Sequence, residues 1–515
     1  MTTTASRSDT GKRTDSSETF VEVETRYGRL RGRDVNGIKT FKGIAYGGST
    51  AGKQRFMPPS KPTPWTGVRD ALEFGTVAPQ TVGDTSEYGR MIGWDNHPGG
   101  MGEDCLVLNV WTPALDGRKR AVMVSIHGGG FTSGSGSTPG YNGKSLARFG
   151  DVVVVTVNHR LGALGYLHLG DLAGSEFAQS GAVGMLDLTA ALEWVRDNID
   201  RFGGDPDTVM VWGQSGGGAK TSTLLAMPSA KGLFRRAAVQ SGSALLLMKR
   251  DVASEMAERL LGKLDLDKSK LAELQALPFD RLIAAQTSVA RETRTMGFAP
   301  VVDGDAIPRH PFDPTAPEIT ADVPLIVGTT LDDAAMVGRF DIDDAGVKDL
   351  LRKRRRSAQH VDRIFELYRR HYPETSPFLL LAKMQTDRGG RRSATTMAER
   401  KAALGRAPAY LYLFTWPSPA LGGKFGAVHG VDVGLAFNSA GGAIAGNTPE
   451  ARALAGRFAA AWVAFAKTGD PNTSEIPRWP VYDAQDRPTM IFDNEVRVEN
   501  DPLRELRLLW DELYA

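Results

Sequence analysis

The chain reads as an α/β protein with a mostly parallel central sheet, a small N-terminal antiparallel sheet and helical insertions. Three observations predict that class. Ala121-Val122-Met123-Val124-Ser125-Ile126 and Val152-Val153-Val154-Val155-Thr156-Val157 are near-continuous apolar, β-branched runs, the pattern of strands buried on both faces of a parallel sheet. Ala182 to Phe202 keeps a helical period through Leu186, Ala190, Leu192, Trp194, Val195 and Ile199, and Gly203-Gly204-Asp205-Pro206 stops it. A strand from Thr208 to Gln214 follows and runs into a glycine-rich turn at Ser215 before another helix, so strands and helices alternate.

Taken in order, residues 1–17 are polar and rich in Ser and Thr, the composition of a disordered tail, and residues 18–515 read as a single domain. From Phe20 the alternation of Val21-Glu22-Val23-Glu24-Thr25 and Gly28-Arg29-Leu30-Arg31-Gly32 gives the antiparallel strands. Phe41 to Tyr46, Arg55 to Pro59 and Pro64 to Gly67 read as aromatic and proline-rich loop pieces. Strands are expected at Glu103 to Trp111, Ala237 to Gly242, Val323 to Gly328, Ala409 to Phe414 and, last, Thr489 to Asp493. Charged amphipathic helices at Asp251 to Ala285 and Asp344 to Asp387 belong to insertions at about 243–320 and 335–405, expected to cover one end of the sheet. Ala451 to Lys467 is an amphipathic helix ended by Thr468-Gly469-Asp470-Pro471.

Composition narrows the function classes. Of 515 residues, 41% are hydrophobic and 24% charged, with a formal net charge of +2, which provides no field for nucleic acid or an acidic membrane. The basic run Arg352 to Arg356 reads as a solvated helix face. The one cysteine, Cys105, excludes an intramolecular disulfide and a multi-cysteine metal site. No run approaches the roughly 20 apolar residues of a membrane span, and the N-terminal stretch lacks the apolar core of a signal peptide. A cytoplasmic protein is expected, without membrane insertion; its oligomeric state is left open.

Chemistry concentrates in two turns. Gly213-Gln214-Ser215-Gly216-Gly217 fits G-x-S-x-G, in which a strand reverses into a helix and holds a serine in a strained conformation. An ordinary Gly/Ser turn is the plainer alternative, but the preceding strand and following helix favour the elbow. His127-Gly128-Gly129-Gly130-Phe131 ends another buried strand and exposes backbone N–H groups unshielded by side chains, as a developing oxyanion requires. A phosphate-cradling loop is the rival; Gly140 to Ser145 imitates the end of a P-loop, but Thr138 stands where its first glycine is required.

Glu103 to Pro113, Val122 to Phe131, Val152 to Leu167, Gly184 to Gly218 and Gly426 to Phe437 together resemble the type-B carboxylesterases, cholinesterase-like α/β-hydrolases that include para-nitrobenzyl esterases. The resemblance implies an α/β-hydrolase fold, a small-molecule carboxylic ester as substrate, and no metal or organic cofactor. It makes Ser215 the nucleophile and His429, in Gly426-Ala427-Val428-His429-Gly430-Val431-Asp432, the general base. In Gly328-Thr329-Thr330-Leu331-Asp332-Asp333-Ala334 the family's acidic glutamate is replaced by Asp333, with Asp332 as competitor; the shorter acid requires the loop or His429 to shift. Oxyanion donors map to the N–H groups of Gly129, Gly130 and Gly216. Gln214, where glutamate is common, Phe131 and Trp94 are implied substrate neighbours. Ala78 occupies the position of the cysteine that often pairs with the counterpart of Cys105. Two other readings stand beside a carboxylesterase: a carbamate, amide or aromatic diester hydrolase using the same residues, and a non-catalytic cholinesterase-like binding protein.

Overall fold

The structure, a computed structural model, describes residues 18–81, 86–93, 98–353 and 357–514. The expected tail at 1–17 and Arg354 to Arg356 lie outside the described residues.

Among the described residues thirteen strands join in one sheet. They are β1 (Glu18–Thr25), β2 (Gly28–Val35), β3 (Ile38–Ala45), β4 (Val68–Asp70), β5 (Val107–Thr112), β6 (Arg120–Ile126), β7 (Val153–Val157), β8 (Gly204–Gln214), β9 (Arg236–Gln240), β10 (Leu325–Thr330), β11 (Ala409–Phe414), β12 (Pro488–Phe492) and β13 (Arg497–Asn500). Their order is β1-β2-β3-β5-β7-β6-β8-β9-β10-β11-β12-β13, with β4 beside β2. From β7 to β12 neighbouring strands are parallel. β1, β2 and β3 are antiparallel and pass into the central sheet through β5, β4 lies parallel to β2, and β13 closes the far end antiparallel to β12.

Strand alternation explains the layers. Val122, Val124, Val209, Val211, Ala237, Val239, Leu325 and Val327 face a core completed by Met185, Leu188, Leu192 and Val195 of the helix Val183–Asn198. Met123, Val154, Met210, Trp212, Ala238, Ile326 and Tyr412 face the opposite core, filled by Leu454, Phe458, Trp462 and Phe465 of the helix Pro449–Thr468. The β-branched runs are therefore unbroken because each face has its own helix layer. Both helices end as the sequence requires: a short 3-10 turn after Val183–Asn198 stops at Gly203 with φ 76°, and Pro449–Thr468 stops at Gly469 with φ 82°.

The structure adds elements that the sequence reading did not expect, the short β4 among them. Phe41 to Ala45, expected as loop, belongs to β3; the register against β5 shifts between Phe41 and Ile44, and Gly43 at φ +65° sits in that irregularity, which breaks the alternation a strand normally shows. Beyond the strand expected to end the chain lie β13 and the helix Arg504–Tyr514, whose Leu506, Leu509 and Trp510 are buried against Tyr368 and Val361.

The inserted helices are Arg250–Lys263, Leu271–Ala276 and Phe279–Thr293 between β9 and β10, and Asp344–Arg352, Ala358–His371, Pro377–Thr386 and Arg392–Ala403 between β10 and β11. Gln286 of Phe279–Thr293 accepts a hydrogen bond from the Ala163 N–H at 2.7 Å. Arg392–Ala403 packs Ala394, Met397 and Ala398 into the first core.

Candidate active site

The C-terminal ends of β8, β9, β10 and β11 share one edge of the sheet, because these strands are parallel and in register from Gln214 opposite Gln240 to Thr330 opposite Phe414. Loops leaving that edge carry Ser215, Asp333 and His429.

Ser215 follows β8 directly with φ 59° and ψ −124°, and the helix Gly216–Leu224 starts at the next residue. A non-glycine residue at positive φ is strained; its N–H donates to the Gln240 carbonyl at 2.8 Å, which helps hold the turn. The flanking glycines are sterically required. A Cβ on Gly213 would stand 2.5 Å from the Gly217 carbonyl carbon, and one on Gly217 would stand 2.0 Å from the Ile126 carbonyl oxygen. The helix therefore returns directly against β8 and the end of β6.

The glycine loop leaves β6 beside this elbow. A Cβ on Gly216 would lie 2.1 Å from the Gly130 carbonyl oxygen and 2.5 Å from the Gly130 nitrogen, so the two backbones are in contact. Gly129 and Gly130 have φ of 88° and 59°, a region that favours glycine. Among the described residues, the N–H groups of Gly129, Gly130 and Gly216 donate to no protein acceptor. The loop's carbonyl groups are engaged instead: Gly129 accepts from the Ser133 N–H at 3.0 Å and Gly128 bonds the His127 ring at 2.8 Å.

Asp333 and His429 meet although 96 residues separate them: His429 Nδ1 and Asp333 Oδ1 are 2.8 Å apart. Asp332 makes different contacts. Its carboxylate pairs with Lys383 Nζ at 2.7 Å and accepts from the Ala427 N–H at 2.8 Å, while its own N–H donates to the Ala427 carbonyl at 3.0 Å. Asp332 thus ties the loop after β10 to the loop carrying His429, and that tie brings the shorter Asp333 side chain within reach. The sequence leaves the two aspartates as alternatives; only Asp333 touches the imidazole.

Electrostatics follow from these contacts. Burial opposes charging of His429, but the Asp333 charge and hydrogen bond, with Asp432 behind, outweigh it and hold the imidazole above its ordinary 6.5. Burial would raise Asp333, yet the charge and hydrogen bond of His429, with hydrogen bonds from Ser241 and Thr330, hold it below the ordinary carboxylate value. Asp432 is raised, chiefly by burial, although Gln240 Nε2 and Tyr412 OH each donate to it at 3.0 Å. The Tyr88 hydroxyl donates to the His429 carbonyl at 3.0 Å and fixes its backbone. Ser241, Tyr88 and Lys383 are supporting residues without a local sequence signal, because their partners are distant in the chain, whereas Thr330 and Asp432 each lie three residues from the group they support.

The remaining expected residues fare differently. Among the described residues no hydrogen bond joins the Ser215 hydroxyl to His429, a contact that often closes only when substrate is bound. Gln214 is buried, with no partner for its amide among the described residues. Phe131 is half-buried at the end of the glycine loop, edge-on to Tyr166 at 5.4 Å between ring centres. Trp94 lies outside the described residues. Cys105 is buried and burial raises its thiol pKa well above the ordinary value, so it is no nucleophile at neutral pH. Among the described residues no cluster of three His, Cys, Asp or Glu is arranged to hold a metal, and no helix is long and apolar enough to cross a membrane.

Comparison with known proteins agrees with this geometry. The model of the carboxylesterase family matches residues 19–508. The chain is 36% identical over 501 residues to a para-nitrobenzyl esterase of Bacillus subtilis (strain 168), covering 94% of this chain and 97% of that protein. It is 34% identical over 495 residues to a phenmedipham hydrolase of Pseudarthrobacter oxydans, covering 92% and 95%. A solved carboxylesterase of Geobacillus stearothermophilus superposes with a TM-score of 0.82 at 36% identity, covering 95% of this chain and 99% of that one. A serine elbow, a glycine loop and a His–Asp pair on one sheet edge, with similarity running along nearly the whole chain, lead to one conclusion: the chain belongs to the carboxylesterase family.

Proposed function

We propose that the protein hydrolyses carboxylic esters through an acyl-enzyme formed on Ser215. The observation that carries this reading is the 2.8 Å bond between His429 Nδ1 and Asp333, on loops that leave the same sheet edge as the strained serine. With Nδ1 held by the carboxylate, Nε2 is the nitrogen left to accept a proton. The Ser215 hydroxyl attacks the ester carbonyl carbon as His429 takes its proton. Negative charge builds on the carbonyl oxygen, and the free N–H groups of Gly129, Gly130 and Gly216 are suited to receive it. The carbon–oxygen bond to the alcohol then breaks while His429 returns the proton to the departing alkoxide. Water deprotonated by the same histidine releases the acid and restores Ser215. The steps are nucleophilic addition, expulsion of the alkoxide or of the Ser215 oxygen, and proton transfer, and none changes an oxidation state.

Residues 18–515 act as one domain in this reading, with the blocks at 243–320 and 335–405 covering the site. A cavity of about 290 Å³ lies between the first block and the glycine loop, lined by Thr132, Ser133, Gln286, Ala290, Met296 and Phe298, and supports that role. The alcohol or acyl part of a small ester is its proposed occupant, with Phe131 and Gln214 bordering the reacting carbonyl. The single buried thiol suits a reducing compartment, the cytoplasm.

A fluorophosphonate phosphonylates an activated serine. Intact mass and peptide mapping are expected to find one adduct, on Ser215, absent from Ser215→Ala; labelling elsewhere, or none, contradicts the reading. A relative named phenmedipham hydrolase keeps a second acyl class in view. Comparing kcat/KM across a matched ester, carbamate and amide series decides between them, and the ester is expected to lead.

A further inference from the structure

Lys220 lies on the helix Gly216–Leu224 and is fully buried, yet the chemistry above does not use it. Its Nζ donates to the His127 carbonyl oxygen at 3.1 Å and stands 5.8 Å from the centre of the Phe131 ring. One amine therefore reaches both ends of the glycine loop from the helix that begins beside the nucleophile.

The next contact shows what this accomplishes. The Gly128 N–H donates to the Tyr141 hydroxyl at 3.0 Å. The His127 carbonyl and the Gly128 N–H belong to one planar peptide and point in opposite directions. Lys220 and Tyr141 accordingly hold that peptide from its two sides. The two residues that follow are glycines with positive φ, Gly129 and Gly130, whose backbones have no side chain to limit rotation. The direction of their N–H groups depends on how the peptide before them is fixed.

Stability does not explain a lysine in this place. The groups near its amine are the His127 carbonyl, the Phe131 ring and the His159 imidazole, which lies on the His127 imidazole, and no carboxylate contacts it among the described residues. The two imidazoles stack at 4.9 Å, and His159 is held below its ordinary value first by burial and then by the Lys220 charge. Burial pushes Lys220 itself down to about 7. A buried amine costs stability whether it keeps its charge without an anion or gives up a proton it would hold in water, whereas an apolar chain of similar length would not.

We propose that Lys220 is a positioning residue for the reaction: with Tyr141 it clamps the His127–Gly128 peptide and so aims the Gly129 and Gly130 N–H groups at the developing oxyanion. The proposal rests on the assignment of Ser215 and the glycine loop given above. A misaimed donor weakens binding of the transition state and leaves binding of the ground state nearly unchanged.

The test compares wild type, Lys220→Met and Tyr141→Phe for kcat, KM, Tm and affinity for a trifluoromethyl ketone, which adds to the serine as a tetrahedral oxyanion. Lys220→Met is expected to keep Tm close to wild type and KM within about threefold, with kcat about 10- to 100-fold lower and ketone affinity reduced in parallel. A folded Lys220→Met enzyme with kcat within about twofold of wild type overturns the proposal. Should that variant fail to fold, Tyr141→Phe, which leaves the amine in place, decides by the same readouts. Fluorophosphonate labelling of the wild type separates the two levels: a wild type that does not label removes the underlying assignment, while a labelled wild type with an unaffected Lys220→Met removes only the clamp.

Discussion

At the scale of single residues, the proposed reaction gives the two adjacent aspartates separable duties, and substitution distinguishes them. Asp333→Asn keeps the side chain's shape but removes the charge that orients and stabilises the His429 cation, so kcat is expected to fall by about 10³- to 10⁴-fold with Tm little changed. Asp332→Asn strips the buried Lys383 of its partner, and its main expected cost is stability, about 3–5 kcal/mol by thermal or denaturant unfolding. The reverse pattern would exchange their roles. The pH profile is a second residue-level consequence. A base must be neutral to accept a proton, and His429 is held above its ordinary 6.5, so the acidic limb of kcat/KM is expected with its midpoint above that value. An unperturbed imidazole would put the midpoint at about 6.5; the difference comes chiefly from Asp333, 96 residues away, whose proximity no local pattern reveals, with Asp432 adding to it. Of the candidate site, Ser215 and the glycine loop were legible because each sits in a short stretch with its own steric demand, and His429 through the family resemblance of Gly426 to Asp432. The choice of Asp333 over Asp332 was not, since it turns on Lys383 and Ala427, both far along the chain.

At the scale of elements, the elbow shows how little freedom the backbone has. Gly217→Ala would drive a methyl group to 2.0 Å from the Ile126 carbonyl oxygen, and the helix Gly216–Leu224 would have to lift from β6. The expected cost is about 1–3 kcal/mol in unfolding free energy together with a large loss of kcat; a variant as active and stable as wild type would mean the helix does not return this closely. The same elements show where sequence reading succeeds and fails. β6, β7 and β8 were legible because burial on both faces leaves unbroken apolar runs. β3 was hidden by the irregularity at Gly43. In Arg504–Tyr514 the helical period of Leu506, Leu509, Trp510 and Leu513 is present, but its partners, Tyr368 among them, belong to an inserted helix, and Trp510 Nε1 donates to the Tyr368 hydroxyl at 2.7 Å.

For the whole molecule, one sheet with a helix layer on each face makes the active edge a product of the entire core. Trp462 stacks on Phe458 at 4.0 Å and meets Tyr412 of β11 edge-on at 5.6 Å. Trp462→Ala is expected to cost about 3–5 kcal/mol of stability, read as a lower unfolding midpoint, while the folded fraction keeps its KM. The measurement that bears most directly on the site is pre-steady-state release of nitrophenol from a short-chain nitrophenyl ester by wild type and Ser215→Ala. An acyl-enzyme on Ser215 predicts a burst equal to the concentration of active sites when deacylation is the slower step, no burst in the variant, and a steady rate lower by about 10⁴- to 10⁶-fold. A burst that survives Ser215→Ala would assign the nucleophile elsewhere and contradict the proposed role of Ser215.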